Sequence, residues 1–226
     1  MTESIRSTVA DPEEMERQGM ASAYWLYRFL RACFRLPFRY FCRWRISGLE
    51  HVPMDVPLIV VSNHVSNWDP VILACVLPRQ LHFMAKAELF KIPLLSQVMT
   101  VCGAYSVDRG KSGRQALKKS LDILEQNKVI CIFPEGTRSK TGETGEAKAG
   151  TAMIAAKSGA YILPVGLHNS GNVFSGGWFR PFSVAIGQPF RIAAAEGERL
   201  SSQRLHEMSD DMMEKITELV NRAKDI

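Results

Sequence analysis

PLIVVSNHVSNWDPV, residues 57–71, joins a short apolar, β-branched run to a polar turn, and the turn to a second apolar run that opens on a proline. A few consecutive apolar residues bounded by turn signals read as a buried strand. Pro70 suits the first turn of a helix, where its missing N–H has no intrahelical partner to lose. The stretch therefore reads as strand, turn, helix. Asp69, just before Pro70, suits an N-cap. It also stands five positions after His64. Residues five apart on one helix point about 140° away from each other, so the two side chains meet only if the chain turns between them. SNWDP supplies such a turn. Two readings stand at this point: a working His–Asp pair, or a cap residue beside a histidine satisfied by the backbone.

The same alternation runs outward in both directions. Strand candidates are WRISGLE (44–50), PLIVVSN (57–63), LHFMAK (81–86), GAYSVD (103–108), KVICIFPE (128–135), YILPVGL (161–167) and FSVAIGQPF (182–190). Between them lie helix candidates PVILACVL (70–77), PLLSQVMTV (93–101), GRQALKKSLDILEQN (113–127) and AGTAMIAAKSG (149–159), with a last helix at about 201–224. Strands alternating with helices of this length predict an α/β fold, a mostly parallel or mixed sheet flanked by helices. In such folds chemistry sits in loops at the carboxyl ends of strands, where His64 is expected.

The chain has 226 residues, 46% of them hydrophobic, enough for one α/β domain with a small appendage. Its five cysteines include no CxxC, which predicts a reduced cytosolic setting and no zinc site; no metal or cofactor is expected. No secretory signal is expected, and no run of 18 apolar residues predicts a spanning helix. Three segments are expected: a polar acidic tail (1–19), a basic aromatic helical segment (20–45) and the α/β domain (46–226).

The net charge of +5 is unevenly spread. Residues 1–17 carry five acids and two arginines, whereas residues 18–49 carry six arginines and no acid. Within AYWLYRFLRACFRLPFRYFCRW (23–44), Arg28, Arg31, Arg35, Arg39 and Arg43 fall in an arc of about 120° on a continuous helix. Phe29, Leu30, Cys33, Phe34, Tyr40, Phe41 and Trp44 fall roughly opposite. Pro37 is expected to kink or split that helix. A basic face opposite an aromatic one predicts an interfacial helix on an anionic membrane surface; the alternative is an amphipathic helix packed on its own domain. No nucleic-acid motif appears, so nucleic acid is not an expected partner.

CIFPEGTRSKTG (131–142) places Glu135, Gly136, Thr137 and Arg138 just after an apolar strand, and GAYSVDRG (103–110) places Arg109 at the end of another. Glycine permits close backbone approach, hydroxyls donate, and arginine grips phosphate bidentately. Two such arginines near a histidine suggest a phosphorylated substrate with a proton to remove; alternatively they pair with Asp108 or Glu135 to hold loops. Lys86 in MAKAELF and Lys148 in EAKAG are further cations. GxxxxGK[ST] and GxSxG are both absent, which excludes a P-loop and speaks against a serine hydrolase. SKTGETGEAK (139–148) reads as a mobile loop.

These motifs resemble those of the glycerolipid acyltransferases. NHVSNWD matches their NHxSxxD signature, an HxxxxD motif; GAYSVDR resembles their second motif, FPEGTRS their third and YILPVGL, with Pro164, their fourth. The resemblance covers about residues 45–190, and the basic aromatic segment is similar to the family's membrane-docking helices. It implies that His64 is a general base oriented by Asp69, and that Arg109, Glu135, Gly136, Thr137 and Arg138 bind a glycerol phosphate, with Lys86 assisting. It further implies acyl transfer from acyl-CoA or acyl-carrier protein to the sn-2 hydroxyl of lysophosphatidic acid, forming phosphatidic acid at the cytoplasmic face of the cell membrane, by a peripheral or monotopic protein. The alternatives are a related acyltransferase acting on glycerol 3-phosphate or another lysolipid, and a non-catalytic membrane-binding module.

Overall fold

The computed structural model describes residues 12–107, 113–139, 144–192 and 201–226, with side chains from residue 23 onward. Along the chain run α1 (Pro12–Tyr40), β1 (Arg45–Ser47), β2 (Leu58–Ser62), α2 (Asp69–Val76), β3 (Leu81–Lys86), α3 (Pro93–Val101), β4 (Ala104–Val107), α4 (Gly113–Glu125), β5 (Val129–Ile132), α5 (Ala149–Ser158), β6 (Tyr161–His168), β7 (Phe174–Ser175), β8 (Trp178–Phe179), β9 (Ser183–Ile186) and α6 (Ser202–Lys224). Every strand and helix expected beyond residue 44 is present. The β7–β8 hairpin was not expected, because two-residue strands are too short to show an alternating pattern.

Seven strands form one mixed sheet in the order β1-β9-β6-β2-β5-β3-β4. All neighbours pair in parallel except β6 with β9. β2 lies between β6 and β5, and its residues divide by parity. Leu58 and Val60 enter the core under α1 and α2, while Ile59 and Val61 enter the core under α4, α5 and α6. A strand covered on both faces must be apolar throughout, which is why residues 58–61 show no polar alternation. Each fully buried aliphatic side chain there contributes about 1.5–3 kcal/mol.

The neighbours β2 and β5 send their chains in opposite directions. β2 continues through α2, which packs on one face, toward β3; β5 continues through α5, on the other face, toward β6. This is a topological switch point, and it opens a crevice at the carboxyl ends of β2 and β5. The register Val61↔Ile132 then sets His64 and Glu135 side by side, each three residues beyond its paired position.

α6 lies directly across β6. A Cβ added to Gly166 would stand 2.3 Å from the backbone of Leu219 and Val220, so only glycine lets the two backbones approach this closely. Gly166→Ala should lower stability by about 3 kcal/mol, read as the midpoint of chemical denaturation. A loss below about 0.5 kcal/mol would mean that α6 shifts freely.

α1 is described from Pro12 to Tyr40 and is not split at Pro37. Its arginine face departs from the interfacial expectation, because it turns partly inward. Arg31 donates to the carbonyls of Cys75 and Leu77, and Arg35 to that of Cys75. The last carbonyls of a helix have no intrahelical donor and carry its negative dipole end, so two guanidiniums are drawn to the end of α2. Burial, and the neighbouring Arg31, hold the Arg35 pKa below its ordinary value. The apolar side chains divide accordingly. Tyr27 and Phe38 are buried against the domain, whereas Trp25, Phe29, Leu36, Tyr40 and Phe41 are exposed.

Candidate active site

The turn expected between His64 and Asp69 exists, and it is built by Ser66 and Asp69. Ser66 Oγ accepts from the Trp68 N–H at 3.1 Å, and the Asp69 N–H reaches back to the Ser66 carbonyl at 3.3 Å. Asp69 opens α2 but does not cap it: the cap position is Trp68, with no side-chain bond. Its carboxylate instead turns back over the loop. Oδ2 accepts from His64 Nδ1, from the Val65 N–H and from the Ser66 N–H, each at 2.7 Å. Oδ1 accepts from the Ser170 hydroxyl at 2.6 Å. Asp69 has 0% exposure, so these four donors, with the positive end of α2, replace the water a buried carboxylate loses.

A carboxylate only accepts, so Nδ1 of His64 carries the proton and Nε2 is the basic nitrogen of the neutral ring. The His64 side chain is 18% exposed, against none for Asp69, which leaves the ring open on one side. The ring stacks on Phe133 at 4.0 Å between centroids and 15° between planes. His64 and Asp69 are thus within direct reach of each other, as a working pair requires.

The FPEGTRS loop holds the backbone of His64 from both sides. The His64 N–H donates to Glu135 Oε1 at 3.1 Å, and the His64 carbonyl accepts from the Ser139 N–H at 2.8 Å. Glu135 is buried, and burial raises its pKa while the backbone N–H groups of His64 and Gly145 pull it back down. Gly136 has φ +68°, and Lys148 lies across it: a Cβ there would stand 2.9 Å from Lys148 Nζ. Thr137, Arg138 and Lys148 are exposed at this edge, and α5 begins immediately after Lys148. Among the described residues no cluster of His, Cys, Asp or Glu is arranged to hold a metal. A positioned base beside a cationic, glycine-containing loop can take a proton from a hydroxyl on an anionic molecule.

The acyltransferase family model matches residues 43–168, more than half of the chain. The chain belongs to the acyltransferase family. The chain is 34% identical over 131 residues to a 1-acyl-sn-glycerol-3-phosphate acyltransferase of Borreliella burgdorferi, covering 57% of the chain and 52% of that relative. It is 30% identical over 184 residues to a Bacillus subtilis protein of the same name, covering 79% of the chain and 88% of that relative. The aligned part thus spans about half of the first relative and most of the second. The crystal structure of the 1-acyl-sn-glycerophosphate (LPA) acyltransferase, PlsC, from Thermotoga maritima shares the fold, with TM-score 0.68 and 24% identity over 97% of this chain and 85% of that one.

The structure joins His64, Asp69, Glu135, Gly136, Thr137 and Arg138 at one crevice and adds Lys148. Lys86 is exposed at the carboxyl end of β3, next to β5. Arg109, expected beyond β4, lies outside the described residues, as do residues 140–143 of the loop expected to be mobile. In the rest of that loop Ala147 is buried and Thr144 is hydrogen-bonded to Thr217 on α6 at 2.9 Å, while Gly145, Glu146 and Lys148 are exposed. Sequence reasoning missed Ser170, Phe133 and Trp68. Trp68 packs edge-on against Phe34 and Phe38 of α1, with centroids 6.2 and 6.1 Å away, and so ties the helix to the HxxxxD loop.

Proposed function

We propose that this chain transfers a fatty acyl group from acyl-CoA or acyl-carrier protein to the sn-2 hydroxyl of 1-acyl-glycerol 3-phosphate, forming phosphatidic acid. The observation that carries the proposal is the 2.7 Å bond between His64 Nδ1 and a fully buried Asp69, beside a cationic loop latched to the same histidine. Nε2 of His64 takes the hydroxyl proton as the oxygen attacks the thioester carbonyl. Asp69 stabilises the imidazolium that forms. The tetrahedral intermediate then expels the thiolate, which recovers the proton from the ring. No side chain is acylated, so both substrates are bound together.

The glycerol phosphate is assigned to Thr137, Arg138 and Lys148 beside the amino end of α5, where helix N–H groups favour an anion. Arg109 and Lys86 are assigned to the same dianion on the strength of the motif resemblance. Gly136 lets the backbone approach. Glu135, expected among the phosphate ligands, is assigned to holding His64 instead, because its carboxylate is buried on backbone N–H groups and would repel a phosphate. Arg138→Ala should remove a charge-assisted hydrogen bond worth about 1.5–3 kcal/mol, a roughly 10- to 150-fold loss in kcat/KM on lysophosphatidate. The loss should be much smaller on a lysolipid without the phosphate dianion. An acceptor panel that includes glycerol 3-phosphate reads both outcomes. Equal losses on all acceptors would move Arg138 out of the phosphate site, and preference for glycerol 3-phosphate would change the acceptor.

The lipid acceptor is proposed to be met at the cytoplasmic face of the membrane. Among the described residues no helix is long and apolar enough to cross a membrane. The exposed Trp25, Phe29, Leu36 and Tyr40 of α1, flanked by exposed Arg28 and Arg39, suit an interfacial position on anionic lipid. The pair Trp25→Ser, Phe29→Ser should weaken binding to anionic vesicles about 10-fold or more with an unchanged salt dependence. Arg28→Gln with Arg39→Gln should weaken it chiefly at low salt. Sedimentation with vesicles across a salt series separates the two, and unaltered binding by both pairs would place the lipid-facing surface elsewhere.

A further inference from the structure

We infer that Ser170 is a positioning residue of the acyl transfer, its hydroxyl fixing Asp69 and, through it, the His64 ring. The inference rests on the assignment of His64 and Asp69 as the working pair. Ser170 and Asp69 both have 0% exposure, and their oxygens are 2.6 Å apart. The carboxylate cannot donate, so the proton of that bond comes from Ser170. Asp69 Oδ2 already takes three N–H donors, whereas Oδ1 has Ser170 as its partner among the described residues. Without the hydroxyl, one oxygen of a buried carboxylate would lack a donor, and rotation about Cβ–Cγ would no longer be fixed from that side. Buried and with its proton committed, Ser170 is out of reach of a thioester and is not itself a nucleophile.

The fold delivers this hydroxyl deliberately. β6 runs beside β2 in the register Ser62↔Val165. Asn63, buried between them, donates to the Leu167 carbonyl at 2.9 Å and accepts from the Leu167 N–H at 2.8 Å, which locks the carboxyl end of β6 to the start of the His64 loop. Asn169 then adopts φ +61° and turns the chain, so that Ser170 opens a short 3-10 turn facing α2. Position φ, strand register and an amide clamp all converge on one hydroxyl. The strand that carries Pro164 thereby contributes to the site through the residue it delivers, not through a side chain of its own.

Steady-state kinetics on Ser170→Ala and Ser170→Cys, with lysophosphatidate and acyl-CoA, test the inference. Ser170→Ala should lower kcat on the order of 10-fold or more while KM for either substrate stays within about 2-fold, as expected for a lost hydrogen bond to a charged group that touches no substrate. Ser170→Cys keeps the shape and a weaker donor, and its kcat should fall between the two. The low-field proton NMR signal of His64 Nδ1–H, assigned by its absence in His64→Ala, should move or broaden in Ser170→Ala. A Ser170→Ala enzyme with wild-type kcat, or with a loss carried by KM, would overturn the inference and leave His64 and Asp69 in place. If Ser170→Ala fails to fold, the Ser170→Cys kcat and NMR signal decide by the same criteria. Wild-type activity in Asp69→Asn would instead remove the assignment on which the inference rests.

Discussion

His64→Ala should lower turnover by about 10²–10⁴-fold, the range of a lost general base, with little change in KM for either substrate. In the proposed reaction Nε2 is the base, and among the described residues beside it none takes its place: Asp69 has no exposed surface, and Glu135 is held on backbone N–H groups. The fold should survive, because the loop is held by groups the substitution leaves intact. The Val65 and Ser66 N–H groups still reach Asp69, and the alanine backbone still bonds Glu135 and Ser139. What is lost structurally is a half-open ring stacked on Phe133. Circular dichroism and the thermal midpoint should match the parent. A folded His64→Ala protein with near-normal turnover would require a different base.

The second large effect belongs to Asp69. In Asp69→Asn the Val65 and Ser66 N–H groups demand an acceptor at the Oδ2 position, so the amide oxygen is forced there and its NH₂ is turned toward Ser170, whose oxygen can accept. The imidazole therefore keeps its Nδ1–H tautomer, and the loss is that of the charge opposite the imidazolium. About 10²–10³-fold in kcat is expected, less than where the same exchange also reverses the tautomer. Asp69→Ala is a different experiment. It strands the buried Ser66 N–H, the part-buried Val65 N–H and the buried Ser170 hydroxyl, at up to about 1–3 kcal/mol each, so it should unfold more readily than Asp69→Asn. Equal stability of the two variants would mean that the loop does not depend on the carboxylate.

The parts legible in the sequence were those decided locally. A short LIVV run bounded by turn signals reads as a buried strand, and NHVSNWDP reads as a turn into a helix. The adjacency of His64 and FPEGTRS followed once β2 and β5 were parallel neighbours. The missed parts depend on contacts between distant segments. Ser170 lies 101 positions beyond Asp69, and a serine in a polar stretch gives no local signal that strand register will carry it to a carboxylate. Arg31 and Arg35 looked like part of a solvent-facing basic face because helical periodicity reports spacing but not which side finds a neighbour. The neighbour was the carbonyl end of α2, and its appeal to a guanidinium is invisible until the two helices are packed. The cap and the pair stand side by side as readings of Asp69 for a related reason: a carboxylate at a helix start has the same sequence signature whether it bonds forward into the helix or backward over the loop.

In the proposed reaction this crevice joins an acyl group to the free hydroxyl of a lysophosphatidate, with His64 as base. The direct measurement is product analysis on the purified protein. Wild type and His64→Ala, matched by circular dichroism, are incubated with acyl-CoA and 1-acyl-glycerol 3-phosphate, and free thiol and phosphatidate are counted in the same sample. Wild type is predicted to release one thiol for each phosphatidate formed, and to release almost none when the acceptor is omitted; His64→Ala is predicted to form almost no phosphatidate. Thiol release without phosphatidate, or equal phosphatidate from both proteins, would contradict the account.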